Sequence, residues 1–250
     1  MKFLKTISAF SLFITFFIIS FFIYILVYDK YLRLKYNIKN THLFSKLFLK
    51  LCGVKIYING PKAPIINGSL IISNHLSYLD MVLIASILPV VFVSSIEVKE
   101  TPILGLFAKC GGSIFIERRK KATVHSDIKK IEYFLSKGFS VLLFPEGTTS
   151  NGDYMLPFKS SLLSSVINKN VTIENICIKY LTINGNLINN SNRDYIYYYG
   201  DMTFWPHFFN LLGLQKIEVE IHKAGRLNAK NFSSRKELVD LSHKLIAEKY

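Results

Sequence analysis

Cysteine is scarce in this 250-residue chain. The three present, Cys52, Cys110 and Cys177, fall at no spacing that suits a disulfide framework or a metal cage, which excludes both and fits a reducing compartment. Cys177 sits within the apolar run Ile176-Cys177-Ile178 and reads as a buried, inert thiol. Acidic residues are also few: 17 Asp and Glu stand against 31 Lys and Arg, a formal charge of +14, so the chain favours anionic partners. No compact arginine-rich or aromatic recognition motif accompanies that charge, which turns the reading from nucleic acid toward anionic lipid headgroups. Internal repeats and low-complexity linkers are missing as well, and the length allows one ordinary domain plus an appendage. His42, His125, His207, His222 and His243 show no ligand spacing; surface or structural roles are expected for them, and no metal is called for.

Charge is absent altogether from Thr6 to Tyr28, a run of 23 residues made mostly of Phe, Ile, Leu and Val. As helix it measures roughly 34 Å, enough to cross a bilayer. A signal peptide is the competing reading, but its apolar core is shorter and ends at small residues, which Ile25-Leu26-Val27-Tyr28 does not offer. The expectation is a retained single-pass anchor. Lys2 and Lys5 precede the span and Lys30, Arg33, Lys35 and Lys39 follow it, a balance that leans toward a cytoplasmic globular body.

What is present after the anchor divides into residues 1–30 as the transmembrane segment, 31–60 as a juxtamembrane amphipathic helix with a first strand, and 61–250 as the globular domain. From Leu43 to Leu51 apolar positions recur at spacings of three and four with lysines between them, and Val54–Ile58 alternates as a strand before the turn Asn59-Gly60-Pro61. Strands are then expected at Leu70–Ile72, Val90–Val93, Ser113–Ile116, Ser140–Phe144, Ile173–Tyr180, Tyr195–Tyr199 and Ile217–Ile221. Helices are expected at Leu79–Leu88, Pro102–Cys110, Val124–Leu135, Lys159–Ile167 and Arg235–Ala247. The alternation predicts an α/β fold, a mostly parallel sheet flanked by helices, with its site at the strand ends.

Ser73-Asn74-His75-Leu76-Ser77-Tyr78-Leu79-Asp80 stands at such an end. In unbroken helix His75 and Asp80 would point about 140° apart, so their meeting needs a bend between them. With the strand stopping near Ser73 and a helix starting near Ser77 or Tyr78, His75 lies in the loop and Asp80 in the first turn, within reach of an imidazole nitrogen. That is a general base with its orienting group, the pair that acyl transfer to an alcohol asks for. Alone, the two residues equally suit a turn and a first-turn acid. Phe144-Pro145-Glu146-Gly147-Thr148-Thr149-Ser150 leaves a later strand in the same way and offers a carboxylate and three hydroxyls, although a plain turn has the same composition.

Together these two blocks resemble the lysophospholipid acyltransferase family, over residues 50–180. The family's His and Asp with four residues between them fall on His75 and Asp80, its glycine, hydrophobic pair and arginine on Gly112, Phe115, Ile116 and Arg118, and its third block on Phe144–Thr148. The resemblance implies that His75 and Asp80 are catalytic and that Arg118, Glu146, Gly147, Thr148 and Thr149 bind the acceptor. It implies transfer of an acyl chain from acyl-CoA or acyl carrier protein to the free hydroxyl of a lysophospholipid, 1-acyl-sn-glycerol-3-phosphate first, without metal or resident cofactor. Thr149 stands where many members carry an arginine, Ser95 where a lysine is frequent, and Asn175 where a proline is usual. Tyr199-Gly200-Asp201-Met202 is similar to the subset that acts on lyso-ornithine lipid, which has no phosphate. A phosphate-free acceptor, or a membrane-tethered lipid-binding protein without turnover, are the alternative expectations.

Overall fold

The computed structural model describes residues 2–117 and 121–250, and of Lys121 the backbone alone. Neither proline nor glycine interrupts the chain before Gly53, and two long helices form there, α1 (Lys2–Leu26) and α2 (Lys30–Cys52). Asp29 separates them by capping α2, its carboxylate accepting the Leu32 amide at 2.7 Å. Gly53 closes α2 at a φ of 74°, where a side chain would be strained and a Cβ would collide with the Gln215 carbonyl.

The helices run antiparallel. Asn40 donates to the Phe16 carbonyl at 3.3 Å and to the Ser20 hydroxyl at 3.0 Å, a buried polar bridge in an otherwise aromatic seam, and Arg33 lies over the Tyr24 ring. Both ends of this hairpin rest on the globular body. Lys5 donates to the Leu214 carbonyl at 2.6 Å, while Tyr31 packs on Phe139 at 4.9 Å and donates to the Lys137 carbonyl at 3.4 Å. Only Ala9, Phe16 and Ser20 of α1 are buried; Phe3, Ile7, Ile14 and Phe21 on its other side are exposed. The stripe expected on α2 divides: Phe48 turns inward, while Leu43 and Leu47 stay outside beside Lys46 and Lys50.

The body continues with β1 (Val54–Asn59), β2 (Leu70–Ser73), α3 (Leu79–Ile87), β3 (Val91–Ser95), α4 (Ile96–Glu100), α5 (Leu104–Cys110), β4 (Ser113–Ile116), α6 (Val124–Ser136) and β5 (Val141–Leu143). Then come β6 (Thr172–Ile183), β7 (Asn186–Leu187), α7 (Phe204–Gly213), β8 (Ile217–Asn228) and α8 (Arg235–Ala247). Among the described residues the strands form one sheet in the order β1-β8-β6-β2-β5-β3-β4, with β7 on β6. Pairing is parallel except where β6 meets β7 and β8. The α/β class with a mostly parallel sheet is as expected. Because β1 pairs with β8, the turn Asn59-Gly60-Pro61 lies between two strands of one sheet.

Helices cover both faces, so central strands are apolar throughout instead of alternating. On β2, Ile71 joins the core beneath α2, α3 and α7, and its neighbours Leu70 and Ile72 join the core beneath α6 and α8. Two expectations need correction, and one element was missed. Tyr195–Tyr199 is not a strand: a 3-10 turn spans Arg193–Tyr195 and the tyrosines that follow are irregular, each drawn to a different partner. Lys159–Ile167 contracts to a 3-10 turn at Ser161–Ser165. The helix α7 was not expected, although Phe208, Leu211 and Leu212 recur at helical spacing on its buried face.

Candidate active site

The site is built where β2 and β5 end side by side. Beyond Ser73 the backbone ladder to β6 stops, and Asn74 extends it with its side chain: the amide nitrogen donates to the Ile178 carbonyl at 2.9 Å and the amide oxygen accepts the Ile178 N–H at 2.8 Å. This clamp fixes the turn that carries His75. The turn is also gripped by the other loop, because the His75 amide donates to Glu146 Oε1 at 2.7 Å and its carbonyl accepts the Ser150 amide at 3.1 Å.

His75 and Asp80 meet across the expected bend, with Nδ1 3.0 Å from Oδ2. The same carboxylate oxygen accepts the amides of Leu76 at 2.6 Å and Ser77 at 2.8 Å, and Oδ1 accepts the Tyr180 hydroxyl at 2.7 Å. Asp80 is fully buried and faces four donors. Burial, reinforced by the Asp80 charge, pushes the Tyr180 hydroxyl well above the usual phenol range, so it remains a donor. With Nδ1–H given to Asp80, the lone pair of His75 sits on Nε2. The imidazole stacks on Phe144 at 3.9 Å with 10° between planes, which sets its azimuth.

A cavity of about 540 Å³ opens at His75. Its apolar part runs between the helices, bounded by Phe13, Phe16, Phe48, Met81, Phe107 and Phe208. Its polar part is bounded by Gly147, Thr148, Thr149, Lys159 and Ser161, together with Glu117 and Asp127. Tyr78, between His75 and Asp80 in sequence, lines the same space and bonds to His207 Nδ1 at 2.9 Å. His207 Nε2 lies 3.0 Å from the Tyr197 carbonyl, which can only accept, so Nε2 carries the proton and Tyr78 donates to Nδ1. Burial lowers the His207 pKa, which keeps the ring neutral.

The site residues expected from the sequence divide into three groups. His75 and Asp80 come together; Gly147, Thr148 and Thr149 line the cavity beside them. Glu146 is 2 % exposed and both its oxygens face backbone amides, Oε2 accepting Leu156 at 3.0 Å, so its place is under the loops and not against a ligand. Arg118 lies outside the described residues. Cys52 and Cys177 are buried and pushed up to about 12, by burial, so neither is a nucleophile.

This arrangement coincides with a known sequence family: the family model described as Acyltransferase matches residues 55–179, half of the chain, a segment that holds His75, Asp80 and the whole Glu146 turn. The chain belongs to the acyltransferase family. This acyltransferase is 31% identical over 198 residues to lyso-ornithine lipid O-acyltransferase of Rhizobium meliloti, a match covering 75% of this chain and 66% of the relative. It is 25% identical over 169 residues to 1-acyl-sn-glycerol-3-phosphate acyltransferase of Neisseria gonorrhoeae, covering 68% of this chain and 63% of that protein. The chain thus spans about two thirds of the length of these relatives. In fold it is similar to the crystal structure of the 1-acyl-sn-glycerophosphate (LPA) acyltransferase PlsC from Thermotoga maritima, with a TM-score of 0.60 at 21% identity over 98% of this chain and 95% of that one.

Three residues that hold or line the acyltransferase site were not singled out from the sequence: Asn74, Tyr180 and Lys159. For Asn74 the usable signal was an amide side chain directly after a buried strand, where the ladder must end.

Proposed function

We propose that this acyltransferase moves an acyl chain from a thioester, acyl-CoA or acyl carrier protein, to the free hydroxyl of a lysolipid, with 1-acyl-sn-glycerol-3-phosphate as the first acceptor and phosphatidic acid as product. The observation that carries the reading is the His75–Asp80 pair at a single cavity whose lining is aromatic in one part and polar in another. The acyl chain occupies the aromatic part and brings its carbonyl to the imidazole. His75 Nε2 takes the hydroxyl proton, the oxygen bonds to the acyl carbon, and the C–S bond breaks as the proton passes to the departing thiolate. Asp80 holds the Nδ1–H and stabilises the transient imidazolium. The ester bond forms directly between acceptor and acyl chain, with no acyl-enzyme.

The relative from Rhizobium meliloti favours a second reading, in which the acceptor is lyso-ornithine lipid. Incubation of the purified protein in vesicles with labelled acyl donor and a panel of lysolipids tests both. Product from lysophosphatidic acid supports the first, product from lyso-ornithine lipid alone supports the second, and no product from any lysolipid sinks the proposal.

We also propose that the protein works at a membrane surface with α1 lying in the plane of the interface. A helix of this length, roughly 37 Å, would have to carry one end away from the body to cross a bilayer. Here Lys5 near the start of α1 and Tyr31 in the first turn of α2, just past the end of α1, both bond to the body, and the exposed Phe and Ile side chains of α1 face away from it. The lysines of α2 sit at headgroup level in that placement.

A further inference from the structure

Lys159 is the one lysine lining this cavity among the described residues; it is exposed, and two contacts place it. Its amide donates to the Pro145 carbonyl at 2.9 Å, and its side chain lies across Gly147. A Cβ added at Gly147 would stand 2.8 Å from Nζ and 3.3 Å from Cδ, so glycine there makes room for the ammonium. Gly147 follows Glu146, which holds the His75 amide, so Nζ and the imidazole border the same opening. Among the described residues no carboxylate lies within salt-bridge distance of Nζ. Asp127, which also lines the cavity, spends its oxygens on the Glu117 amide at 3.2 Å and on Lys130 at 2.7 Å. Beside Lys159, neither the amides nor the hydroxyls of Thr148 and Thr149 make a hydrogen bond among the described residues. An exposed ammonium laid across Gly147, beside four polar groups without a hydrogen bond among the described residues, can receive an anion.

We infer that Lys159 is the residue that selects the acceptor, by binding an anionic group next to the hydroxyl that His75 deprotonates, with the Thr148 and Thr149 amides as supplementary donors. This rests on the lysolipid acyltransferase reading above. An ammonium is a compact point charge without the planar fork of a guanidinium, so it attracts a phosphate or a carboxylate without requiring bidentate geometry. The acceptor class is therefore defined by negative charge close to the hydroxyl and not by phosphorus. Lysophosphatidic acid and lyso-ornithine lipid both meet that condition; an uncharged monoacylglycerol does not.

The test is steady-state kinetics of the full chain in vesicles, with lysophosphatidic acid, lyso-ornithine lipid and monoacylglycerol as acceptors and the donor varied separately. In Lys159→Gln the KM for each anionic acceptor used by the wild type is expected to rise about tenfold or more, the charge-assisted contact being lost. The donor KM and the rate with monoacylglycerol stay unchanged, and Lys159→Arg recovers most of the loss. Lys159→Met keeps the apolar stem over Gly147 and serves if the glutamine variant melts early. An unchanged acceptor KM, an equal rise with monoacylglycerol, or a rise confined to the donor overturns the inference while leaving the function standing. A wild type that acylates no lysolipid overturns both.

Discussion

The Tyr180 hydroxyl and the His75 imidazole grip opposite oxygens of Asp80, at 2.7 Å on Oδ1 and 3.0 Å on Oδ2. The carboxylate is thus fixed by a residue on β6, a hundred positions away, as firmly as by its own turn. Removing the phenol oxygen in Tyr180→Phe leaves Oδ1 buried without a partner, at a cost of about 1–3 kcal/mol. The expected outcome is a lower denaturation midpoint together with a reduced kcat at unchanged acceptor KM. A variant of full stability and full kcat would remove Tyr180 from the site.

His75→Ala takes away the proton acceptor and leaves the Asp80 carboxylate with its two turn amides and Tyr180. Acyl transfer is expected to fall by at least ~100-fold, the usual scale for a lost general base. Circular dichroism and vesicle binding should match the wild type. Turnover within a few fold of normal would show that another group takes the hydroxyl proton.

Glu146 supplies a pH dependence whose sign can be worked out. Burial raises its carboxyl from 4.5 to about 7, against the pull of the His75 and Leu156 amides and with a smaller push from Asp80. Because the folded value lies above the unfolded one, the folded state binds the extra proton. Its stabilising contribution is complete below the unfolded value and is lost as pH rises through about 7. Thermal melts at about pH 5 and about pH 8 should therefore differ in favour of the lower pH, and Glu146→Gln should shrink that difference. An undiminished slope in the variant would assign the effect to other groups.

The in-plane placement of α1 is open to labelling from one side. Single cysteines replacing Lys2 and Tyr28, in a background with Cys110→Ser, sit at opposite ends of the helix. In sealed vesicles carrying the body outside, a membrane-impermeant maleimide is expected to reach both. Protection of one end until the vesicles are opened would mean that α1 crosses.

Much of this was legible because the strands announce themselves by continuous apolar runs and the site residues follow them directly. His75 and Asp80 could be paired from five positions of sequence, since a bend after Ser73 was the only way to bring them together. Glu146 was legible as a site residue but not in its role, because its charge suggests a ligand while its burial beneath two loops is a tertiary fact. Tyr180 was illegible because its partner Asp80 is a hundred residues away, and Lys159 because the loop fold that lays it over Gly147 has no local pattern; an isolated Tyr or Lys carries no periodic signal. The run Tyr195–Tyr199 misled because β-propensity in aromatic residues reflects packing on a pleated surface, and here Tyr198 turns to the cavity while Tyr197 enters the core. By length and composition α1 suits a membrane span, and the contacts that tie the hairpin to the body, Lys5 of α1 to Leu214 and Tyr31 of α2 to Lys137, are ones no local pattern specifies.

His75 has its amide hydrogen bound by Glu146 and its carbonyl bound by Ser150, so the stretch that carries the base is spliced, above and below, into the stretch that carries Gly147 and the threonines. The two loops are one mechanical part. Engineering a new headgroup preference into residues 147–149 would tilt the imidazole as well, and variants altered in taste should be altered in speed unless the Glu146 and Ser150 anchors are left untouched.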